Sequence, residues 1–191
     1  MQQRQLFGNR PVLMKEVDDP LVVRQCLGGD TRAFALLVEK YQGIVYNVAL
    51  RMARDAGDAE EIAQAAFVKA YEKLGTYNEG FRFYSWLYRI TVNEALNFLD
   101  RQKRFTRLDE EVEDPQQALE VASEARERSE RIQEGLWKLK PDYRVVVILR
   151  HFEELSYEEI GAILDIPIKR VKSRLFSARQ ELREILVKKG F

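Results

Sequence analysis

The chain has little of what catalytic and secreted proteins usually carry. Its 191 residues include one cysteine, Cys26, and one histidine, His151. A single cysteine cannot close an internal disulfide, so a reducing compartment is expected. His151 has no second histidine or nearby cysteine with which to hold a metal, and it reads as a surface or structural residue. There is no HExxH sequence and no glycine-rich phosphate loop. The carboxylate pairs fall in capping boxes or on helix faces, where structural roles suffice. A catalytic role is therefore not expected, and no metal or cofactor is implied. The start, "MQQRQLFGNRPVLMKEVDDP", lacks a signal-peptide apolar core, and no later apolar run approaches the ~18–20 residues of a membrane span. A cytoplasmic, soluble protein with no direct membrane insertion is the expectation. No stretch alternates apolar and polar residues between turn signals, so strands are not expected either.

What the chain does carry is a composition able to build cores, 46% hydrophobic and 32% charged. The formal net charge is zero, but its distribution is uneven. Residues 106–134 hold 4 Lys/Arg against 10 Asp/Glu, whereas from Pro167 onward the count is 8 against 2. A basic C-terminal end suits a polyanionic partner.

Periodicity is helical nearly throughout. Phe34, Leu37, Val38, Tyr41, Val45, Val48, Ala49 and Met52 recur at three-and-four spacing. Gly28-Gly29 is expected to end a preceding helix, with Asp30 or Thr31 capping the next. In "DAEEIAQAAFVKAYEKL", Asp58 and Glu61 have capping-box spacing, and Ile62, Ala66, Phe67, Ala70, Tyr71 and Leu74 form one stripe. "GTYNEG" breaks that helix, and a long helix is predicted from about Tyr84 to Arg104. Trp86, Leu87 and Ile90 fit its buried face. Phe81 and Arg82, with Phe83 or Tyr84 beside them, fall in or next to the loop before it. The acidic, Pro115-containing stretch that follows reads as a linker with a polar helix in its second half. The expected organisation is a tail (1–17), a helical domain (18–105), a linker (106–130) and a second helical domain (131–191).

"LSYEEIGAILDIPIKRVKSRLFSARQELREIL" is the most specific local signal. Ser156 and Glu159 form a second capping box, and Ile160, Ile163 and Leu164 an apolar face. Pro167 suits the first turn of the next helix. Val171, Leu175 and Ala178 point inward, leaving Lys169, Arg170, Lys172, Ser173, Phe176 and Ser177 on or near the outer face. Two short helices joined by a small turn, the second rich in cations, make a helix-turn-helix that can enter a major groove. The plainer reading is a basic surface helix of an all-α domain.

With these motifs in order, the chain resembles the extracytoplasmic-function (ECF) sigma factors over about Leu21 to Leu186. The likeness rests on "GDTRAFALLVEKYQ", "DAEEIAQAAFVKAYEKL", "FYSWLYRITVNEALNFLDRQKR", "LKPDYRVVVILRHFEELSYEEIGAIL" and "IPIKRVKSRLFSARQEL". It implies an all-α fold of two small helical domains, a region-two bundle and a region-four helix-turn-helix, joined by a flexible acidic linker. It implies a factor that binds core RNA polymerase and recognises the −35 and −10 promoter elements. DNA would be double-stranded at −35 and single-stranded at −10, where the factor helps melting.

Carried over by motif, Asp58, Glu61, Gln64, Glu72 and Lys73 are candidates for docking on the clamp helices of the largest polymerase subunit. The second-largest subunit is also an implied partner. Ile62, Phe67 and Tyr71 read as core. The loop and helix Tyr77, Asn78, Glu79, Gly80, Phe81, Arg82, Phe83, Tyr84, Trp86, Arg89, Asn93, Asn97 and Arg101 match the segment that captures the −10 strand. Phe81 and Arg82 stand where small residues are common, which makes Phe81 an added stacking candidate. Lys103 and Arg104 extend the positive stripe, and all these cations would equally complement a helix C-terminus. Pro167, Lys169, Arg170, Lys172, Ser173, Arg174, Phe176, Ser177 and Arg179 match the −35 reader, with Ser177 replacing a basic residue often found there. An anti-sigma factor is an implied partner, one that in relatives holds the protein at the inner membrane. Two other functions fit parts of the chain. A sigma-like decoy that sequesters an anti-sigma factor needs neither basic helix nor loop aromatics. A simple helix-turn-helix repressor leaves the first domain without a role.

Overall fold

Local chemistry sets the helix boundaries. A computed structural model of the chain describes residues 17–106 and 124–188; residues 1–16 of the tail, the acidic stretch 107–123 and residues 189–191 lie outside them. Eight α-helices and two 3-10 turns make up the elements, with no strand among the described residues. Helix α1 (Asp19–Leu27) is capped by Asp18, whose side chain accepts from the Leu21 amide, and Gly28 ends it. Asp30 caps the 3-10 turn Thr31–Ala33, which runs into α2 (Phe34–Met52). Helix α3 spans Ala56–Glu72 and α4 Phe83–Thr106.

The cap of α3 differs from the expected one. Asp55, not Asp58, holds it: its backbone is extended and its carboxylate accepts from the Gly57 and Asp58 amides. Three further residues therefore join the helix at its start. Asp58 lies in the first turn and accepts instead from Gln102 of α4 at 3.3 Å.

Helices α2, α3 and α4 pack as a bundle, with α1 against α2. Leu37, Tyr41, Val45, Val48, Ala49 and Met52 of α2 are buried, as their spacing predicts. Ile62, Ala66 and Ala70 of α3 meet them. Tyr71 departs from its expected place in the core. It is 43% exposed and sets its ring edge-on to Phe34, with centroids 5.2 Å apart. Asp19 pins α1 to α2, accepting from Lys40 Nζ at 2.7 Å and from the Tyr41 hydroxyl at 2.6 Å.

The second unit comprises α5 (Glu124–Lys138), α6 (Pro141–His151), α7 (Tyr157–Leu164) and α8 (Ile168–Lys188). Val145 through Leu149 of α6 are all buried. They join Leu136, Leu139, Ile160, Ile163, Val171 and Leu175 in a core that continues, without interruption, into Val48, Met52, Tyr88 and Val92 of the first unit. Helices α5 and α6 touch α2, and α6 and α7 touch α4. The two units thus form one packed body.

Arg144 is a main joint of that body. It is only 7% exposed. Its guanidinium donates to the carbonyls of Leu136, Trp137 and Leu139 at the end of α5, and to that of Met52 at the end of α2. Helix C-termini leave carbonyls without intrahelical donors, and one planar five-donor group satisfies two such ends together. Burial lowers its pKa to about 10, which leaves it cationic at neutral pH.

Candidate nucleic-acid interface

Two surfaces carry the residues expected to meet nucleic acid. The first is the outer face of α8. The capping box is present: Ser156 Oγ accepts from the Glu159 amide while Glu159 accepts from the Ser156 amide. Asp165 turns the chain in the left-handed region, φ 54°, and closes α7. Pro167 stands just before α8 rather than within its first turn, and its carbonyl accepts from Arg170 and Val171. Gly161 makes the tight approach possible, since a Cβ there would lie 3.0 Å from the Ile166 carbonyl oxygen. Val171, Leu175 and Ala178 are buried, as expected.

This leaves Lys169, Arg170, Lys172, Ser173, Phe176 and Arg179 exposed on α8. Phe176, 66% exposed, is an apolar ring among cations, a composition suited to a thymine methyl beside phosphates. Ser177 is half-buried at the edge of this face. Arg174 sits apart from it, half-buried and paired with Asp142 of α6 at 2.7 Å. Arg179 donates to His151 Nε2, at 3.1 Å from its Nη2. Partial burial, followed by the charges of Arg179 and Arg150, holds the His151 pKa below the usual imidazole value. A neutral ring can accept that bond.

The second surface is the loop 77–82 with the outer face of α4. The loop holds its own shape. Asn78 Oδ1 accepts from the Gly80 amide at 2.9 Å, the Tyr77 hydroxyl donates to the Phe81 carbonyl at 2.7 Å, and the Phe81 amide donates to the Asn78 carbonyl. Glu79 is tied to Arg24 of α1 at 2.5 Å. Sequence reasoning did not single out Arg24; the pair spans 55 residues and has no local signal. The outcome is a Phe81 ring 69% exposed above an ordered base. Phe83, two residues on, is the reverse case, 2% exposed. Its ring lies within 5.2–5.5 Å of Tyr77, Trp86 and Tyr41. The aromatic run therefore divides at Arg82: one ring outward, a buried cluster inward.

Along α4, Arg89, Asn93, Asn97 and Arg101 are exposed and four residues apart, and Lys103 and Arg104 are exposed beyond them. Residues so spaced share a helix face. Arg101 lies 3.9 Å from Glu61 of α3 and beside the Phe98 ring. Tyr84 and Arg89 are engaged by the second unit instead. The Tyr84 hydroxyl donates to Glu159 at 2.7 Å, and Arg89 reaches Asp165 at 3.4 Å. On α3, Glu61, Gln64, Glu72 and the capping Lys73 are exposed, Glu61 beside Arg101 of α4, and Asp58 is half-buried against α4.

The relationship to known proteins follows these two surfaces. The Sigma-70 region 2 model matches residues 37–105, and the Sigma-70, region 4 model matches residues 129–182. The chain is 37% identical over 187 residues to the RNA polymerase sigma-H factor of Pseudomonas aeruginosa, covering 92% of this chain and 96% of that protein. It is 35% identical to the ECF RNA polymerase sigma factor SigW of Bacillus subtilis, over 86% of this chain and 94% of the relative. The chain belongs to the ECF RNA polymerase sigma factors. The sigma factor is also similar in structure to RpoE of Bartonella quintana, solved in complex with the anti-sigma factor NepR. There the TM-score is 0.68 and the identity 25%, over 80% of this chain and 96% of RpoE. Its helix-turn-helix lies inside the region 4 match, and its exposed Phe81 inside the region 2 match. Arg24, by contrast, precedes both. Among the described residues of the sigma factor, no helix is long and apolar enough to cross a membrane, and no cluster of His, Cys, Asp or Glu is placed to hold a metal.

Proposed function

We propose that this sigma factor directs core RNA polymerase to promoters by reading duplex DNA with α8 and a displaced single strand with loop 77–82 and α4. Residues 18–105 form the −10 and polymerase-binding domain, and 131–191 the −35 domain. The observation that carries this reading is the Phe81 ring, 69% exposed on a loop that is already hydrogen-bonded and that leads into α4 with its exposed polar row Arg89, Asn93, Asn97 and Arg101. An unpaired base offers a π-face to such a ring, and the row offers donors to the strand beyond it. The exposed cations of α8 supply phosphate contacts, whose number sets the salt dependence of duplex binding. Asp58, Glu61, Gln64, Glu72 and Lys73 fit a polar helix–helix contact with the clamp helices of polymerase. RNA synthesis belongs to the polymerase, and the sigma factor adds no chemistry of its own. Its site of action is the cytoplasm. An anti-sigma factor is a partner, as NepR is for RpoE.

Run-off transcription with core polymerase on fragmented genomic DNA tests this, with transcript 5′ ends sequenced. Common elements near −35 and −10 are expected. Initiation indistinguishable from core polymerase alone overturns the reading.

A further inference from the structure

The basic face of α8 runs on past its first turns. Lys169, Lys172, Phe176, Arg179 and Arg183 recur at three-and-four spacing and are all exposed, so they share one stripe. Helix-turn-helix readers enter the major groove by the N-terminal residues of the second helix. Arg179 follows Lys169 by ten residues, about 15 Å of helix, against a major groove about 12 Å wide. With Lys169 at the bases, Arg179 lies over the flanking backbone, where the charge on offer is phosphate.

At that point the stripe meets the one histidine of the chain. His151 is exposed and ends α6, and its Nε2 lies 3.3 Å from Arg179 Nε and 3.1 Å from Nη2. Two donors of one guanidinium thus converge on one ring nitrogen, which accepts only while it carries no proton. Both side chains are exposed, so a single anion can reach them together.

Arg179 faces the ring from α8 and Arg150 from its own helix; partial burial and then these two charges hold its pKa below the usual imidazole value. Of the nearby acids, Glu153 gives its carboxylate to the Tyr88 hydroxyl of α4, and Glu154 stands exposed in the following turn. Lys172 of α8 and Arg150 lie by the Tyr157 ring of α7, and Arg51 of α2 lies against Phe152. An anion shared by His151 and Arg179 reverses the balance, because an opposite charge within ~4–6 Å favours the protonated ring.

We propose that His151 and Arg179 form one backbone-phosphate site at the edge of the duplex-reading face, and that duplex DNA binding there takes up one proton onto His151 Nε2. This rests on the reading of α8 as the duplex helix. In the free chain the neutral ring accepts from Arg179. When a phosphate arrives, Nε2 takes a proton from solvent and donates it in a hydrogen bond to a phosphate oxygen. The guanidinium turns its released donors to the same phosphate. Linkage fixes the sign: duplex affinity is lowest above the pKa of the bound state and reaches its full value below that of the free chain. The sigma factor therefore holds duplex DNA more tightly as its surroundings acidify.

With one histidine in the chain, its imidazole NMR signals identify themselves. The test follows them through a pH titration of the full chain, alone and with a mixed-sequence duplex of about 20 base pairs, roughly two turns. A mixed sequence suffices because phosphate contacts carry no sequence information. The ring should titrate below about 6.5 alone and above it on the duplex. From pH 7.5 to 6.0, duplex affinity by fluorescence anisotropy should rise about 3- to 10-fold, the ceiling being tenfold for each pH unit by which phosphate raises the pKa. The slope of log affinity on log salt should steepen by up to about 0.9 over the same interval. His151→Gln keeps an acceptor for Arg179 but takes no proton, and should flatten the pH profile. His151→Lys, charged throughout, should flatten it at the high-affinity end. A ring that titrates at the same pH with and without duplex overturns the site, as does a pH profile that His151→Gln leaves intact. The same rise in ring pKa with inorganic phosphate alone would make this a free-anion site and overturn its assignment to the duplex. Duplex binding insensitive to Lys169→Ala and Lys172→Ala overturns α8 as the duplex helix, and the phosphate site with it.

Discussion

The guanidinium of Arg144 donates to the backbone carbonyl of Met52, 92 residues earlier in the chain. It simultaneously satisfies three carbonyls at the end of α5. Removing it strands four acceptors in a core region. Arg144→Ala should therefore cost about 3 kcal/mol or more, measured as a fall in the urea unfolding midpoint. Arg144→Lys should recover little of it, because an ammonium cannot spread its donors over two helix ends. A loss below 1 kcal/mol for the alanine variant would mean that water replaces the guanidinium.

Phe81 and Phe83 should respond oppositely to truncation. Phe83→Ala empties part of the Tyr41, Tyr77 and Trp86 cluster and is expected to cost about 3–5 kcal/mol of stability. Phe81→Ala should leave stability within about 0.5 kcal/mol. It should weaken open-complex formation by about 1–3 kcal/mol, roughly 5- to 150-fold. Permanganate reactivity of unpaired thymines reports the open complex, and filter binding at low temperature reports the closed one. An equal loss at both stages would show a folding defect.

Gly161 should reject alanine although it lies in a helix, where that change commonly stabilises by about 1 kcal/mol. The added Cβ would sit 3.0 Å from a backbone oxygen of the turn, which cannot swing aside as a side chain would. A loss of about 1–3 kcal/mol is expected, seen by calorimetry, with duplex binding reduced alongside. An unchanged or raised melting temperature would show that the turn has slack.

His151 should make stability weakly pH-dependent. Its folded pKa is lowered, by partial burial first and then by Arg179 and Arg150. The folded state thus holds its proton less tightly than the unfolded chain. The contribution is full above the unfolded value of about 6.5 and is lost as pH falls through the folded pKa. Wild type should lose more of its urea midpoint between pH 7.5 and 5.5 than His151→Gln does. The ring keeps an exposed edge, so the difference is small. A steeper loss in the glutamine variant would reverse the assignment.

Local signals were the legible part of the sequence. The capping box at Ser156 and Glu159, the glycine stop of α1 and the inward Val171, Leu175 and Ala178 depend on neighbours within one or two turns. The shift of the α3 cap from Asp58 to Asp55 shows the limit even there. Two aspartates three residues apart both fit an N-cap, and the extended backbone at Asp55 decides between them. Tyr71 followed the apolar stripe of α3 yet stands at the rim, because a stripe gives a direction and not a depth.

The sequence alone determined the helical class, the helix-turn-helix, the loop aromatics and the resemblance to the ECF sigma factors, all written in short-range periodicity and ordered motifs. Only the tertiary structure decided which phenylalanine of "FRF" faces water. It alone paired Glu153, Glu159 and Asp165 with α4, and set Arg144 between two helix ends. The pairings with α4 and the bond from Arg144 to Met52 join residues 65 to 92 positions apart. A charge or hydroxyl carries no local mark of its distant partner. Its partner is chosen by how the helices pack, and that is settled by shape and burial summed over the whole core.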